Sequence, residues 1–90
     1  MKDFDRPEII KSVVEDFFLI CRSRNSHSSY RYYNHDKAYT KGMIYVLRKL
    51  LKSKVDFRYN KNRPHTVTLD KNQHTLLKEI KKTLDKDTKK

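Results

Sequence analysis

The sequence predicts a small α+β protein that is mainly helical, with its elements in the order helix, helix, β-hairpin, helix. A chain of 90 residues is too short for two hydrophobic cores, so we expect a single domain over residues 1–90. Three segments repeat apolar residues at the spacing of an amphipathic helix. A fourth segment, between the second and third of these, alternates apolar and polar residues as a strand does.

The first helix is predicted from about Arg6 to about Arg22. Asp5 is a good N-cap, Glu8 follows three residues later as in a capping box, and Pro7 suits the first turn. The apolar residues then recur on one side of the helix, at Ile9, Ile10, Val13, Val14, Phe17, Phe18 and Cys21.

The segment from Ser23 to Asn34 contains four serines and three tyrosines but no aliphatic residue. Since it offers nothing aliphatic to the core, we expect it to be exposed, as a loop or a short irregular helix.

The second helix is predicted from Lys37 to Ser53, capped by Asn34 or Asp36. Its apolar face consists of Ala38, Met43, Ile44, Val46, Leu47, Leu50 and Leu51. Gly42 interrupts this helix, and an interior glycine costs about 1 kcal/mol relative to alanine. Either another backbone crosses close to the glycine, or the regular helix begins just after it.

The β-hairpin is predicted between residues 55 and 69. Val55, Phe57 and Tyr59 alternate with polar residues, and Val67 and Leu69 alternate with threonines after a basic, proline-containing tip. This pattern predicts two strands that pair with each other.

The third helix is predicted from about Lys71 to Leu84, because Asp70 and Gln73 repeat the spacing of a capping box. Residues 85–90 should fray. The predicted core consists of Ile9, Val13, Phe17, Leu47, Leu50, Leu51, Phe57, Leu77 and Ile80. Such a core is small, so we also expect a homodimer, formed through helix 1 or helix 3.

The net charge of +11 is concentrated in the middle of the chain. Residues 1–20 hold three basic and five acidic side chains, a balance of −2, whereas residues 21–69 hold twelve basic and two acidic ones, a balance of +10. Residues 70–90 add seven basic and four acidic side chains, a balance of +3. A polyanionic partner would therefore meet the central segment.

Arginine, lysine and tyrosine interleave in this central segment. Cations neutralise phosphates and release counterions, while tyrosine rings stack on unpaired bases. The pattern predicts a non-catalytic protein that binds nucleic acid, DNA or RNA, and it suits nucleic acid better than a membrane surface. The candidate contact residues are Arg22, Arg24, Tyr30, Arg31, Tyr32, Tyr33, Lys37, Tyr39, Lys41, Arg58, Lys61 and Arg63.

Two docking geometries fit this interpretation. If residues 26–33 form a short helix, the first half of the chain resembles a helix-turn-helix, with the N-terminal end of the second long helix in the major groove and the hairpin as a wing. Alternatively, residues 23–36 form a loop that folds onto single-stranded or distorted nucleic acid through arginine and tyrosine. The second geometry is slightly preferred, because a serine-rich helix without aliphatic residues packs poorly.

Two other function classes stay open. A small regulator from a phage or mobile element could bind an acidic surface of a host or defence protein, since tyrosine and arginine are enriched at interface hot spots. A metal-independent ribonuclease of the toxin type would use histidine as a proton carrier and arginine to stabilise the charge of the transition state. Its candidate residues are His27, His35, His65 and His74.

Cofactors, metals and membranes are not expected. Gly42 is the only glycine, so no glycine-rich phosphate loop can be built, and Cys21 with His27 lacks the second close pair of a zinc site. No run of about 18 apolar residues is present, and the start of the chain lacks the pattern of a signal peptide. We therefore expect a soluble cytoplasmic protein.

Overall fold

The computed structural model describes residues 2–24 and 28–87, and it confirms a mainly helical α+β fold. A short 3₁₀ helix at Lys2–Asp5 precedes the first α-helix. The α-helices are α1 (Pro7–Ile20), α2 (Lys37–Leu51) and α3 (Lys71–Asp87). The strands are β1 (Arg22–Arg24), β2 (Ser29–Asn34), β3 (Asp56–Arg58) and β4 (His65–Asp70).

The four strands form one antiparallel sheet in the order β1-β2-β4-β3. In β4, the buried residues His65, Val67 and Leu69 alternate with the half-buried Thr66 and Thr68. The three helices pack on the side of the sheet that the buried residues face. The molecule therefore has two layers, helices on one face of a sheet whose other face is open.

The prediction of an exposed loop or irregular helix for residues 23–34 is wrong for the part of this segment that the structure describes. Residues 23 and 24 belong to β1, and residues 29–34 form β2, which lies inside the sheet between β1 and β4. Residues 25–27 lie outside the described residues. The apolar side of β2 is supplied by rings instead of aliphatic side chains. Tyr32 is fully buried and stacks on Phe17 with ring centroids 5.9 Å apart, and Tyr30 stacks on His74 of α3 at 3.6 Å. Tyrosine favours strands because its large ring packs well on a half-buried pleated surface.

The ends of the helices follow the predicted capping signals at two of three places. At α3, the Gln73 amide donates to Asp70 Oδ1 at 2.8 Å and the Asp70 amide donates to Gln73 Oε1 at 3.1 Å, so the predicted capping box is confirmed. At α2, the Asp36 side chain accepts a hydrogen bond from the Tyr39 amide. At α1, the N-cap is Arg6 with no side-chain cap, so the capping box predicted at Asp5 is wrong.

The predicted core is largely correct but incomplete. Five of its nine residues are buried: Val13, Phe17, Leu47, Leu51 and Leu77. The other four, Ile9, Leu50, Phe57 and Ile80, are half-buried and pack against the core. Seven fully buried side chains are missing from the predicted core: Val14, Tyr32, Thr40, Met43, Val46, Val67 and Leu69.

Gly42 lies inside α2. The helix begins at Lys37, well before the glycine, so the prediction that the regular helix begins just after Gly42 is wrong. Instead, the ring of Phe4 from the 3₁₀ helix occupies the space that a Cβ at position 42 would fill. Because glycine has no Cβ, the Phe4 ring can pack directly against the backbone of α2.

The predicted homodimer stays a prediction. Leu19 in α1 is 82% exposed and Leu76 in α3 is 46% exposed, so each helix named as an interface carries an apolar side chain at the surface.

Candidate functional site

The open face of the sheet carries most of the polar side chains that the strands present. Residues directly opposite each other in antiparallel strands share a face, and faces alternate along each strand. The register pairs Arg22 with Arg31 and Arg31 with Thr68, and it pairs Tyr33 with Thr66. The described open-face residues are Arg22, Ser29, Arg31, Tyr33, Asp56, Arg58, Thr66, Thr68 and Asp70.

Two arginines lie directly opposite each other on this face. Arg22 in the edge strand β1 pairs with Arg31 in the inner strand β2. Like charges at directly opposed positions destabilise a sheet unless something neutralises them. In addition, the buried Nε of Arg31 has no hydrogen-bond partner among the residues that the structure describes. Both features are typical of a surface that accepts an anion.

A depression of about 340 Å³ continues from Arg31 towards the opposite edge of the sheet. Its polar lining combines two cations with hydroxyl groups and a single carboxyl group. The lining residues are Arg31, Tyr33, Asp56, Phe57, Arg58, Thr66 and Thr68. Arginine, threonine and tyrosine all donate hydrogen bonds to phosphate oxygens, so the depression offers several donors within one surface.

Four of the twelve residues predicted as nucleic-acid contacts come together on the open face, namely Arg22, Arg31, Tyr33 and Arg58. Arg24 is paired with Ser29 in the same ladder. Thr66 and Thr68 were not among the predicted contacts, although the alternation of threonine with Val67 and Leu69 places both on the polar side of a strand.

Tyr32 is wrong as a nucleic-acid contact. Its side chain is fully buried, its hydroxyl donates to Asp16 Oδ2 at 2.6 Å, and the Asn34 amide donates to the same hydroxyl at 2.8 Å. Burial and the hydrogen bond to Asp16 raise the pKa of Tyr32 well above its usual range. The neighbouring Tyr30 also faces the helices, so its ring stacks on His74 and not on the open side.

Tyr39 is also turned towards the interior. It is half-buried, and its ring lies 6.3 Å from that of Phe4. Burial, together with the nearby Asp16 carboxylate, raises the pKa of Tyr39 to about 12. Tyr39 therefore takes part in the packing of the N-terminal segment against α2.

Lys37 and Lys41 lie in a second cluster, away from the open face. The Lys37 Nζ is 4.7 Å and the Lys41 Nζ is 5.4 Å from the ring centroid of Tyr59. That ring also contacts His65, with centroids 4.5 Å apart. Cation–π contacts of this kind are worth about 0.5–1 kcal/mol at exposed sites, so the two lysines help to hold Tyr59 in place.

Lys61 and Arg63 lie at the tip of the hairpin formed by β3 and β4, as the sequence predicts. Both side chains are exposed. The turn is ordered by the Asn60 side chain, whose Oδ1 accepts a hydrogen bond from the Asn62 amide at 3.1 Å. The two cations therefore extend the basic surface beyond the edge strand β3.

The helix-turn-helix geometry predicted as one docking mode is wrong, because β2 and not a helix covers residues 29–34. The loop predicted over residues 23–36 for single-strand binding is wrong for the same reason.

His27, one of the residues named for the ribonuclease hypothesis, lies outside the described residues. Of the others, His65 is only 7% exposed, and His74 packs between the rings of Tyr30 and Phe18.

Within residues 2–24 and 28–87, no group of three histidine, cysteine, aspartate or glutamate side chains is arranged to hold a metal ion. In the same ranges, no helix combines the length and apolar character that crossing a bilayer requires.

Comparison with known proteins gave no protein-family model, no curated protein and no solved structure that matches this chain.

Proposed function

We propose that this protein binds nucleic acid, without catalysis, through the open face of its sheet. The observation that carries the proposal is the pairing of Arg22 with Arg31 on that face, where the Arg31 Nε is buried without a partner in the described structure. A phosphate group would neutralise both guanidinium groups and accept the unused hydrogen bond.

The dimensions of the sheet support nucleic acid over a small anion. Adjacent strands lie about 4.8 Å apart, so β2 and β3, with β4 between them, are roughly 10 Å apart. This separation places Arg31 and Arg58 at opposite sides of the depression that both residues line. The exposed Lys61 and Arg63 continue the positive surface at the hairpin tip. A single small anion would not require a surface of this extent.

The same geometry favours a duplex over a single strand. Single-strand binding relies on exposed aromatic rings on which bases stack. Of the three tyrosines between residues 30 and 33, only Tyr33 faces the open side. The major groove of B-form DNA, about 12 Å wide, admits β-strands, whose arginine and threonine side chains then reach phosphates and base edges. This role agrees with the cytoplasmic location expected from the sequence.

The test is fluorescence anisotropy of nuclease-treated protein with labelled duplex DNA, duplex RNA and single strands, between 50 and 200 mM salt. We expect duplex affinity to fall steeply with salt. The double variant Arg31→Gln with Arg58→Gln should reduce the slope of log affinity against log salt by about 2, because each lost phosphate contact contributes about 0.9 for duplex DNA.

The matched control is Lys82→Gln with Lys86→Gln, which removes the same charge from exposed positions of α3 in the helical layer. This control should keep the slope of the parent protein. Equal losses in the two double variants would show that net charge alone drives binding, and the proposed face would be refuted. Affinity that does not change with salt would refute the nucleic-acid proposal itself.

A further inference from the structure

A second surface lies on the outer side of α2, and of its lining residues only Phe57 also lines the depression on the open face. It is a shallow groove of about 730 Å³, here called the α2 groove, lined by Lys41, Ile44, Tyr45, Arg48, Lys49 and Phe57. Ile44 is 7% exposed and Phe57 is half-buried, so an apolar floor lies among three cations. Phosphates alone would leave such a floor unused.

The chain's own N-terminal segment shows what chemistry this side of α2 accepts. Residues 3–5 read Asp-Phe-Asp. The Phe4 ring packs over Gly42, while Asp5 Oδ1 accepts hydrogen bonds from Tyr45 Oη at 2.7 Å and from Lys49 Nζ at 2.8 Å. The hydrogen bonds from Lys49 and Tyr45 lower the pKa of Asp5, which favours its carboxylate form. An acidic segment with an apolar side chain is thus held here within one chain.

The α2 groove has the same combination of cations and an apolar surface, and it lies next to the site of Asp5 on α2. Tyr45 and Lys49 belong both to the groove and to the site of Asp5. Lys41 and Arg48 are the other two cations of the groove. Unlike Lys49, neither forms an ion pair with a carboxylate among the described residues. The Arg48 guanidinium donates a long hydrogen bond, 3.4 Å, to the Val55 carbonyl.

We propose that the α2 groove binds an acidic segment of a partner protein that carries one apolar anchor side chain. The anchor would lie on Ile44 and Phe57, and the flanking carboxylates would pair with Lys41 and Arg48. This pairing fits the charge of the groove and repeats the contacts of residues 3–5. The proposal goes beyond nucleic-acid binding and does not rest on it, because the arginines of the open face are not part of the groove.

The probe is a fluorescein-labelled peptide, EEDEFEDE, compared with EEDESEDE, in which serine replaces the apolar anchor. We expect the first peptide to bind about tenfold more tightly, since burial of an aromatic side chain contributes more than 1.4 kcal/mol. Lys41→Glu should weaken its binding about tenfold, through the lost pairing and the new repulsion. The matched control Lys82→Glu, an exposed lysine of α3, should leave it unchanged.

Methyl and aromatic NMR signals locate the bound peptide independently of any variant. The proposal requires shifts at Ile44 and Phe57 and none at Leu19, which lies exposed at the end of α1. Equal affinity for the two peptides, or equal weakening by the two lysine variants, would overturn it. It would also be overturned if Lys41→Glu weakened duplex binding while EEDEFEDE failed to bind, because the groove would then belong to a nucleic-acid surface.

Discussion

The replacement Tyr32→Phe separates the role of this tyrosine in the fold from the binding role that the sequence suggested. It keeps the ring in its buried position against Phe17 and removes only the hydroxyl. That hydroxyl connects β2 to α1 by donating to Asp16, and it also accepts from Asn34. The replacement therefore removes two hydrogen bonds, of which the one to Asp16 joins the sheet to the helical layer.

The expected cost follows from these contacts. A hydrogen bond to a charged group contributes about 1.5–3 kcal/mol, and water can partly replace it here because the pair is only partly buried. We expect Tyr32→Phe to lower the free energy of unfolding by about 2 kcal/mol. For a chain of 90 residues the whole free energy of unfolding is roughly 5–13 kcal/mol, so the loss is large.

Urea denaturation followed by circular dichroism measures this loss. With an m-value of about 1.5 kcal/mol/M, the midpoint should fall by about 1.3 M urea. The control is Tyr59→Phe, because Tyr59 acts through its ring faces and should shift the midpoint by less than about 0.3 M. A shift for Tyr32→Phe no larger than that of Tyr59→Phe would refute the assignment of Tyr32 to the structural core.

Two further predictions concern pH and the N-terminal segment. Burial lowers the pKa of His74 below its ordinary value of 6.5, so the unfolded chain takes up this proton at higher pH and stability should fall as pH drops below about 6.5. His74→Phe should flatten urea midpoints measured between pH 7 and 5, and parallel pH curves would contradict this. Gly42→Ala should displace the Phe4 ring, with the helix gaining about 1 kcal/mol in propensity and losing a similar packing energy. The hydrogen bond to Asp5 raises the pKa of Tyr45, so release of residues 2–5 should return that pKa towards 10. An NMR titration of Tyr45 measures this change, and an unchanged pKa in Gly42→Ala would contradict displacement of the Phe4 ring.

Local signals predicted the helices well because they act over three or four residues. The Asp70–Gln73 capping box forms as predicted, since both partners belong to the same turn. The same spacing at Asp5 and Glu8 does not form a cap, because Asp5 finds Tyr45 and Lys49, which are forty or more residues away in the sequence. A capping motif is reliable only when no distant partner competes for its side chain.

The sequence by itself determined the class of the fold, its three amphipathic helices, the β3–β4 hairpin and the concentration of positive charge between residues 21 and 69. These properties follow from composition and short-range periodicity. Only the tertiary structure decided which central side chains share a surface. Strand pairing set Arg22 beside Arg31 on the open face and turned Tyr32 into the core. The physical reason is that faces alternate along a strand, so the register of β2 between β1 and β4 assigns every side chain to one layer or the other.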